Sequence, residues 1–368
     1  MRNVALDLGV REISYCEVAN GKVIRRLTVT KLSTLEEFLG PKAAPAKIAI
    51  EACREAWHVH DVLSAWGNQV LLVDTTRARR IGVGEHGRKT DRVDAEKLAF
   101  AVERGGIPTA HLLSPHRREL RLELSVRRAL VETRAQYVTT VRGLVRAHGQ
   151  QIRRCATSSF VKVVRETALK DEVSNLCQPL LRVIELVDGQ ISEVEERIER
   201  LAQQEPVVEL LATTTGVGAI VASAYVSVID EAGRFRNAHQ VAAYLGLVPS
   251  ETSTGGKQRL GAITKKGNSY VRWLLVQAAW GILRKRGTDD GLAEWGRRIA
   301  ERRGKRIGVV AVARRLSGIL WAMWRDGTEY NPHFAAQVTA GGLRAASHRL
   351  KARADRLEQS AAKSVRSR

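Results

Sequence analysis

The first 75 residues alternate between apolar runs and short polar breaks, a pattern typical of strands. NVALDLG, EISYCEVAN and KVIRRLTVT predict three strands in a meander, with Asn20-Gly21 as the tight turn between the last two. AKIAIEA and NQVLLVD predict two more strands, separated by the helical pattern EAWHVHDVLSAWG. Strands that begin as a meander and then alternate with a helix predict a mixed α/β sheet. We assign this domain to residues 1–112.

Residues 113–205 change to a helical period, which predicts a long helical segment. Its second half carries an apolar seam with alternating steps of four and three, formed by Leu180, Ile184, Val187, Ile191, Val194, Ile198 and Leu201. Two interpretations remain open: an amphipathic helix packed within its own domain, or a coiled coil that joins two copies of the chain.

Residues 206–335 predict a mostly α-helical domain. Gly216-x-Gly218 lies where a turn enters a helix, which resembles the hairpin of helix-hairpin-helix DNA-binding elements. Residues 336–368 are basic and poor in apolar side chains, so we expect disorder or an arm that contacts nucleic acid.

Charge narrows the class of partner. The chain holds 60 Lys and Arg against 39 Asp and Glu, a formal charge of +21, which favours a polyanion such as nucleic acid. No apolar run of about 18 residues and no signal segment is apparent, so we expect a cytoplasmic protein without a membrane partner. The four cysteines form no CxxC pair and predict no zinc site.

Four acidic residues are the first candidates for chemistry. Asp7 and Glu51 lie inside apolar runs that predict buried strands, where a carboxylate is costly unless a cation compensates it. Asp91 and Asp94 follow in KTDRVDA, three residues apart on a predicted helix. Carboxylate oxygens suit Mg²⁺, or Mn²⁺ in its place, and such sites serve phosphodiester chemistry.

A second candidate region is the segment GLVPSETSTGGKQRLGAITKKGNSYVRW. Hydroxyl side chains precede two glycines, and cations follow, an arrangement suited to phosphate contact. A hydroxyl there is also a candidate nucleophile. The predicted nucleic-acid-binding residues in this segment and in the later basic helices are Lys257, Arg259, Lys265, Lys266, Arg272, Arg302, Arg303, Lys305 and Arg306.

The order of LDLG, IEA and KTDRVDA, followed by the GVG turn and the GLVPSETSTGGK segment, resembles the DEDD transposases of bacterial insertion sequences. This family is known as IS one-ten, or RNA-bridged recombinases, and the resemblance covers residues 1 to about 330. It implies a RuvC-like (RNase H-like) N-terminal domain in which Asp7, Glu51, Asp91 and Asp94 bind Mg²⁺. It also implies a covalent phosphoserine link to DNA, a structured guide (bridge) RNA, and a site shared in a dimer or tetramer.

The nucleophile is assigned by the same resemblance. The hydroxyl-hydroxyl-Gly-Gly pattern favours Ser253, with Thr254 as the alternative and Ser250 as a third choice. A primary alcohol is less hindered than the branched alcohol of threonine. Two other hypotheses remain: a RuvC-type junction resolvase or nuclease that uses metal-activated water, and a regulator that binds nucleic acid without catalysis.

Overall fold

The chain forms two compact units, Met1–Leu112 and Leu113–Arg368. The structure is a computed structural model that describes residues 1–74, 77–78, 91–252, 259–285 and 289–333, and for residues 91–94 the backbone alone. Ser253, Thr254, Lys257 and the tail from 336 onward therefore lie outside the described residues.

The first unit is built on a five-stranded mixed sheet in the order β3-β2-β1-β4-β5. Its elements are β1 (Arg2–Leu8), β2 (Ile13–Ala19), β3 (Lys22–Val29), α1 (Glu36–Leu39), β4 (Ala46–Glu51), α2 (Ala56–Ala65), β5 (Gln69–Val73) and α3 (Asp91–Arg104). The β1–β2 and β2–β3 pairs are antiparallel, whereas β4 pairs in parallel with β1 and β5. The five predicted strands and the mixed sheet are confirmed. Asn20 and Gly21 both have positive φ (52° and 68°), as a tight hairpin turn requires.

The two faces of this sheet carry different side chains. One face packs larger residues such as Leu6 and Ile50 against α2. The opposite face presents Ala5 and Ala49 to the buried side chains of α3, which are Ala95, Leu98, Ala99 and Val102. Small side chains at the centre of this face let α3 lie close to the sheet, so the start of α3 is held near the ends of β1 and β4.

An ion pair ties the first two strands together beside this core. Arg2 donates Nε to Glu17 Oε1 at 2.7 Å and Nη2 to Oε2 at 2.8 Å, and the Tyr15 hydroxyl donates to the same carboxylate at 2.7 Å. The hydrogen bond from Arg2 lowers the pKa of Glu17 below its usual 4.5. The pair therefore stabilises the fold fully above pH 4.5, and its contribution is lost as the pH falls through the lowered pKa.

Glu17→Gln should lower the free energy of unfolding at pH 7 by about 2 kcal/mol, because Arg2 keeps its charge but loses its partner. The difference from the parent chain should shrink below pH 4. Urea unfolding at pH 7 and pH 3 measures both effects, and Glu12→Gln on the exposed β1–β2 turn is the matched control. Equal destabilisation at the two pH values would contradict the assigned role.

The second unit is mostly helical. Its helices are α4 (Pro115–Ala147), α5 (Phe160–Glu166), α6 (Asp171–Gln203), α7 (Pro206–Ala212), α8 (Ala219–Ile229), α9 (Ala238–Tyr244), α10 (Ser269–Arg284), α11 (Gly291–Arg303) and α12 (Lys305–Asp326). A two-stranded hairpin, β6 (Pro249–Glu251) and β7 (Leu260–Ile263), separates α9 from α10.

The apolar seam of α6 is used within the chain. Ile184 and neighbours pack with Val141 and Val145 of α4, and Val194 and Ile198 join the main core of the unit. Ion pairs such as Arg134 to Asp188 (2.6 Å) cross between the same two helices. Of the two interpretations, the packed amphipathic helix describes α6, whose partner is α4 of the same chain. The seam therefore does not support a coiled coil between two copies of the chain.

Helix α12 corrects the expectation that the chain has no apolar stretch of about 18 residues. Among the described residues it is long and apolar enough, on average, to cross a membrane, although Arg314 and Arg315 interrupt it. Just over half of its most apolar stretch (56%) is buried, and Val312, Leu316 and Leu320 belong to the main core. Burial of this kind is typical of the central helix of a packed domain, which is how α12 is placed here.

Candidate active site

Asp7 and Glu51 lie side by side at the edge of the first sheet. Asp7 is the penultimate residue of β1, and Glu51 is the last residue of β4. The parallel register pairs Leu6 with Ile50, so its next step places Asp7 level with Glu51. Adjacent strands are about 4.8 Å apart, and residues at one register position share a face. Because alternate residues alternate in face, both acids are on the face that α3 covers.

The two acids are less buried than the sequence predicted. Both are partly exposed, whereas Val4, Ala5 and Leu6 of the same strand are fully buried. The apolar flanks identified the strands correctly, but the acids lie where the strands end. The cost of desolvating them is correspondingly smaller. The carboxyl ends of parallel strands are a usual position for binding sites.

The remaining two predicted acids are located by backbone only. Asp91 is the first residue of α3, and Asp94 lies in its first turn. One helical turn further on are Ala95 and Leu98, which pack against the sheet face that carries Asp7. Where side chains are described, no group of three or more His, Cys, Asp or Glu is arranged to hold a metal. The predicted set of four carboxylates therefore stays a prediction.

The second predicted region is a β-hairpin. Across it, the Thr252 amide donates to the Arg259 carbonyl at 3.0 Å, and residues 253–258, which join these two positions in the sequence, lie outside the described residues. Ser250 Oγ donates to the Ala262 carbonyl at 3.0 Å. A methyl group on Gly261 would lie 2.7 Å from that Oγ, which explains the glycine opposite Ser250. Ser250 thus has a structural role in the hairpin stem.

The base of the hairpin is fixed by two glycines and an arginine. A side chain on Gly246 would overlap the Lys266 backbone, and one on Gly267 would overlap the Tyr244 carbonyl; both glycines have positive φ. Arg272 Nη1 donates to the Leu245 carbonyl at 2.9 Å and to the Lys266 carbonyl at 3.3 Å. Arg272 thus braces this turn through one guanidinium nitrogen, and the nucleic-acid contact predicted for it stays a prediction.

Gly267→Ala should destabilise the second unit by about 3 kcal/mol or more, since the added carbon meets backbone and the positive φ is strained. The control is Gly281→Ala in α10, where a side chain would meet nothing within 4 Å. That substitution should instead stabilise by up to about 1 kcal/mol. Thermal unfolding of both variants checks the prediction, and an unchanged midpoint for Gly267→Ala would refute the described packing.

The other predicted nucleic-acid-binding residues within the described chain are exposed cations. They fall into two groups: Arg259, Lys265 and Lys266 on the hairpin and its base, and Arg302, Arg303, Lys305 and Arg306 at the α11–α12 junction. Within the described residues, none of these side chains takes part in an ion pair. They are therefore available to an anionic partner.

The glycine turn predicted from GVG joins α7 to α8. Gly216 has φ +78°, and a side chain there would lie 2.9 Å from Ile282 of α10. Gly218 precedes α8 without a side-chain cap. The first glycine is thus explained by close packing, and the second leaves the first amides of α8 uncapped.

Comparison with known proteins identifies the family. A model described as a transposase of the DEDD IS110 type matches residues 4–149, and one described as transposase IS116/IS110/IS902 family matches residues 208–291. A probable family 20 transposase of Pseudomonas aeruginosa is 30% identical over 296 residues, covering 78% of this chain and 86% of the relative. The chain belongs to the IS110 family of DEDD transposases.

Two further relatives match over most of the chain. The transposase for insertion sequence element IS1111A of Coxiella burnetii is 26% identical, with 87% of this chain and 88% of the relative covered. The transposase for insertion sequence element IS1328 of Yersinia enterocolitica is 26% identical, with 89% and 98% covered. The sequence-based assignment to this family is confirmed, and the protein is a DNA transposase.

Proposed function

We propose that this transposase is a RuvC-like, Mg²⁺-dependent recombinase that breaks and rejoins DNA strands through a covalent bond to Ser253. The observation that carries the proposal is the pairing of Asp7 and Glu51 at the carboxyl ends of β1 and β4. Both lie on the sheet face covered by α3, whose first turn contains Asp91 and Asp94. The antiparallel β3-β2-β1 meander continued by the parallel β4 and β5 supports a RuvC-like fold.

The donor set suits a hard divalent cation. Asp7 and Glu51 offer carboxylate oxygens at neighbouring register positions, and the partly exposed strand ends leave room for the water ligands that Mg²⁺ retains. These two residues, with Asp91 and Asp94, would hold the ion, or Mn²⁺ in its place. When bound, the ion supplies positive charge that stabilises a phosphate undergoing substitution.

Ser253 is the proposed nucleophile, and in the sequence it directly follows Thr252, whose amide donates to the Arg259 carbonyl. Its Oγ attacks phosphorus, so that an Oγ–P bond forms while one bridging P–O bond of the DNA breaks. The serine proton passes to solvent and the departing oxygen gains a proton. Attack by a DNA hydroxyl then reverses the step on a new strand, so exchange needs no nucleotide cofactor.

Exposed cations around this hairpin hold the nucleic acids. Arg259, Lys265 and Lys266 bind donor or target DNA, and the cations of the α11–α12 junction contact DNA or RNA backbone. Following the family resemblance, we also propose that a structured guide RNA selects the DNA, and that the enzyme works in the cytoplasm as a dimer or tetramer. Sequencing of RNA that co-purifies with the protein tests the guide directly, since absence of a discrete RNA species would contradict it.

A nicked suicide substrate tests the proposed chemistry. A donor DNA that releases a short fragment on cleavage traps the covalent intermediate, so the labelled DNA should migrate with the protein in denaturing gels, and only with Mg²⁺ or Mn²⁺ present. Hydrolytic cleavage without an adduct would favour a RuvC-type resolvase or nuclease. DNA binding without cleavage by the intact protein would favour a non-catalytic regulator.

A further inference from the structure

The second unit contains a large groove that the proposed chemistry does not use. Its volume is about 970 Å³, within the range typical of ligand sites. One wall is the β6–β7 hairpin, through Pro249 and residues 261–263; the other walls come from α9, α11 and α12. The groove therefore adjoins the two strands of the hairpin, between which Ser253 lies in the sequence.

The floor of the groove is apolar and open. Leu247, Ile263, Trp295, Val310 and Ile319 line it. Small residues at other lining positions, which are Ala238, Ala242, Gly261, Ala262, Ala311, Gly318 and Ala322, leave the space unfilled. Ile307 at the rim is 46% exposed. An apolar surface of this size normally receives a flat or apolar group.

The lining also carries positive charge. It includes four arginines, Arg303, Arg306, Arg314 and Arg315, of which the last two are partly buried, and the described lining includes no Asp or Glu. The Arg315 guanidinium lies 4.7 Å from the centre of the Trp295 ring, and Arg314 Nη2 lies 3.3 Å from His239 Nδ1. Arg303 and Arg306 are exposed at the mouth. The groove thus combines an apolar floor with positive charge at its edge.

This charge selects one kind of occupant. The C-terminal residues 341–368 contain eight Lys or Arg and two Asp or Glu, and the whole chain is at +21, so the charge of neither the tail nor a second copy complements the exposed Arg303 and Arg306. A nucleotide does, since it joins an apolar base to an anionic phosphate. Unpaired bases bind to apolar and aromatic surfaces while cations hold the backbone.

We propose that this groove holds an unstacked nucleotide of the single-stranded DNA next to the cleaved phosphate. The base lies on the floor near Trp295 and Val310, and Arg303 and Arg306 contact the flanking phosphates. The groove would hold the strand beside the β6–β7 hairpin and would favour DNA that is locally unpaired. The inference rests on the proposed function for its choice of DNA strand, and its test is independent of cleavage.

Binding is measured by fluorescence anisotropy at one fixed salt concentration with the full chain. The probes are a labelled ten-nucleotide dT oligomer and an oligomer of equal length and charge with three central abasic positions. The intact protein should bind dT at least fivefold more tightly than the abasic probe, as expected when a base gains about 1 kcal/mol or more by stacking. Equal affinities would overturn the proposal.

Two kinds of variant test whether the preference for dT over the abasic probe arises in the groove. Ala311→Phe fills the floor and should abolish the preference for dT, and Ala322→Phe gives the same test at another lining position if the first variant does not fold. Arg303→Ala and Arg306→Ala should each weaken both probes severalfold more than the control Arg298→Ala, an exposed arginine of α11 outside the lining. A dT preference that survives Ala311→Phe and Ala322→Phe would overturn the assignment.

The remaining outcomes separate other occupants and the chemistry. An rU oligomer bound more than tenfold tighter than dT would assign the groove to RNA and overturn the choice of DNA. If Ala311→Phe or Ala322→Phe changed the sedimentation coefficient of the protein but left oligonucleotide binding unchanged, the groove would be assigned to a second copy of the chain. If the intact protein formed no covalent adduct on the suicide substrate but still preferred dT to the abasic probe, the serine chemistry would be refuted and the groove inference would stand.

Discussion

Ser253→Ala should abolish both strand exchange and the covalent protein–DNA adduct. Removing a nucleophile leaves only binding and electrostatic contributions, so we expect a loss of about four orders of magnitude or more. Binding of donor DNA should change little, because the exposed cations Arg259, Lys265 and Lys266 remain. The measurement is strand exchange on a labelled donor–target pair, with adduct formation on the suicide substrate as the second readout.

Two neighbouring hydroxyls provide the controls. Thr254→Ala should keep the adduct, and Ser250→Ala should cost only the hydrogen bond to the Ala262 carbonyl, about 1 kcal/mol of stability. If Ser253→Ala retained full exchange while Thr254→Ala lost it, the assignment of the nucleophile would be wrong.

Asp7→Asn and Glu51→Gln should each reduce cleavage and exchange by about 10³-fold or more. Each substitution keeps the shape of the side chain but removes the charge that a divalent cation requires. The fold should tolerate both, because the acids lie at partly exposed strand ends and each substitution keeps the size of the side chain. We therefore expect a thermal midpoint close to that of the parent chain together with the loss of activity.

Glu12→Gln is the matched control for these acids. Glu12 is exposed on the turn that follows β1, so the same loss of charge should leave cleavage unaltered. A variant Asp7→Asn that cleaved DNA at the parent rate would remove the acids from the proposed mechanism.

Mixing inactive Asp7→Asn with inactive Ser253→Ala tests the proposed oligomer. Restored strand exchange would require residues from different protomers to act in one complex.

The sequence predicted the first unit well because its signals are local. The five strands follow from apolar runs and from the Asn20-Gly21 turn, and the mixed character of the sheet follows from the helix predicted between the fourth and fifth strands. Chain pattern alone could not show where each strand ends. For that reason Asp7 and Glu51 were predicted to be buried although both are partly exposed.

The features that the sequence missed depend on residues far apart in the chain. The contacts of Arg272 with the Leu245 and Lys266 carbonyls at the base of the hairpin join residues up to 27 positions apart and carry no local sequence signal. The groove needs α9, the hairpin, α11 and α12 together, and its small lining residues carry no local signal. The α6 seam has the period of a coiled coil, and only tertiary packing shows that its partner is α4 of the same chain.

The most direct test of the central claim is mass spectrometry of the trapped adduct. Trypsin should release residues 237–257 as one peptide, since Arg236 and Lys257 bound it and no Lys or Arg lies between. After nuclease treatment the account predicts a nucleotide or phosphate on Ser253 of this peptide. A modification on Thr254 or Ser250, or a cleaved substrate with no modified peptide, would contradict it.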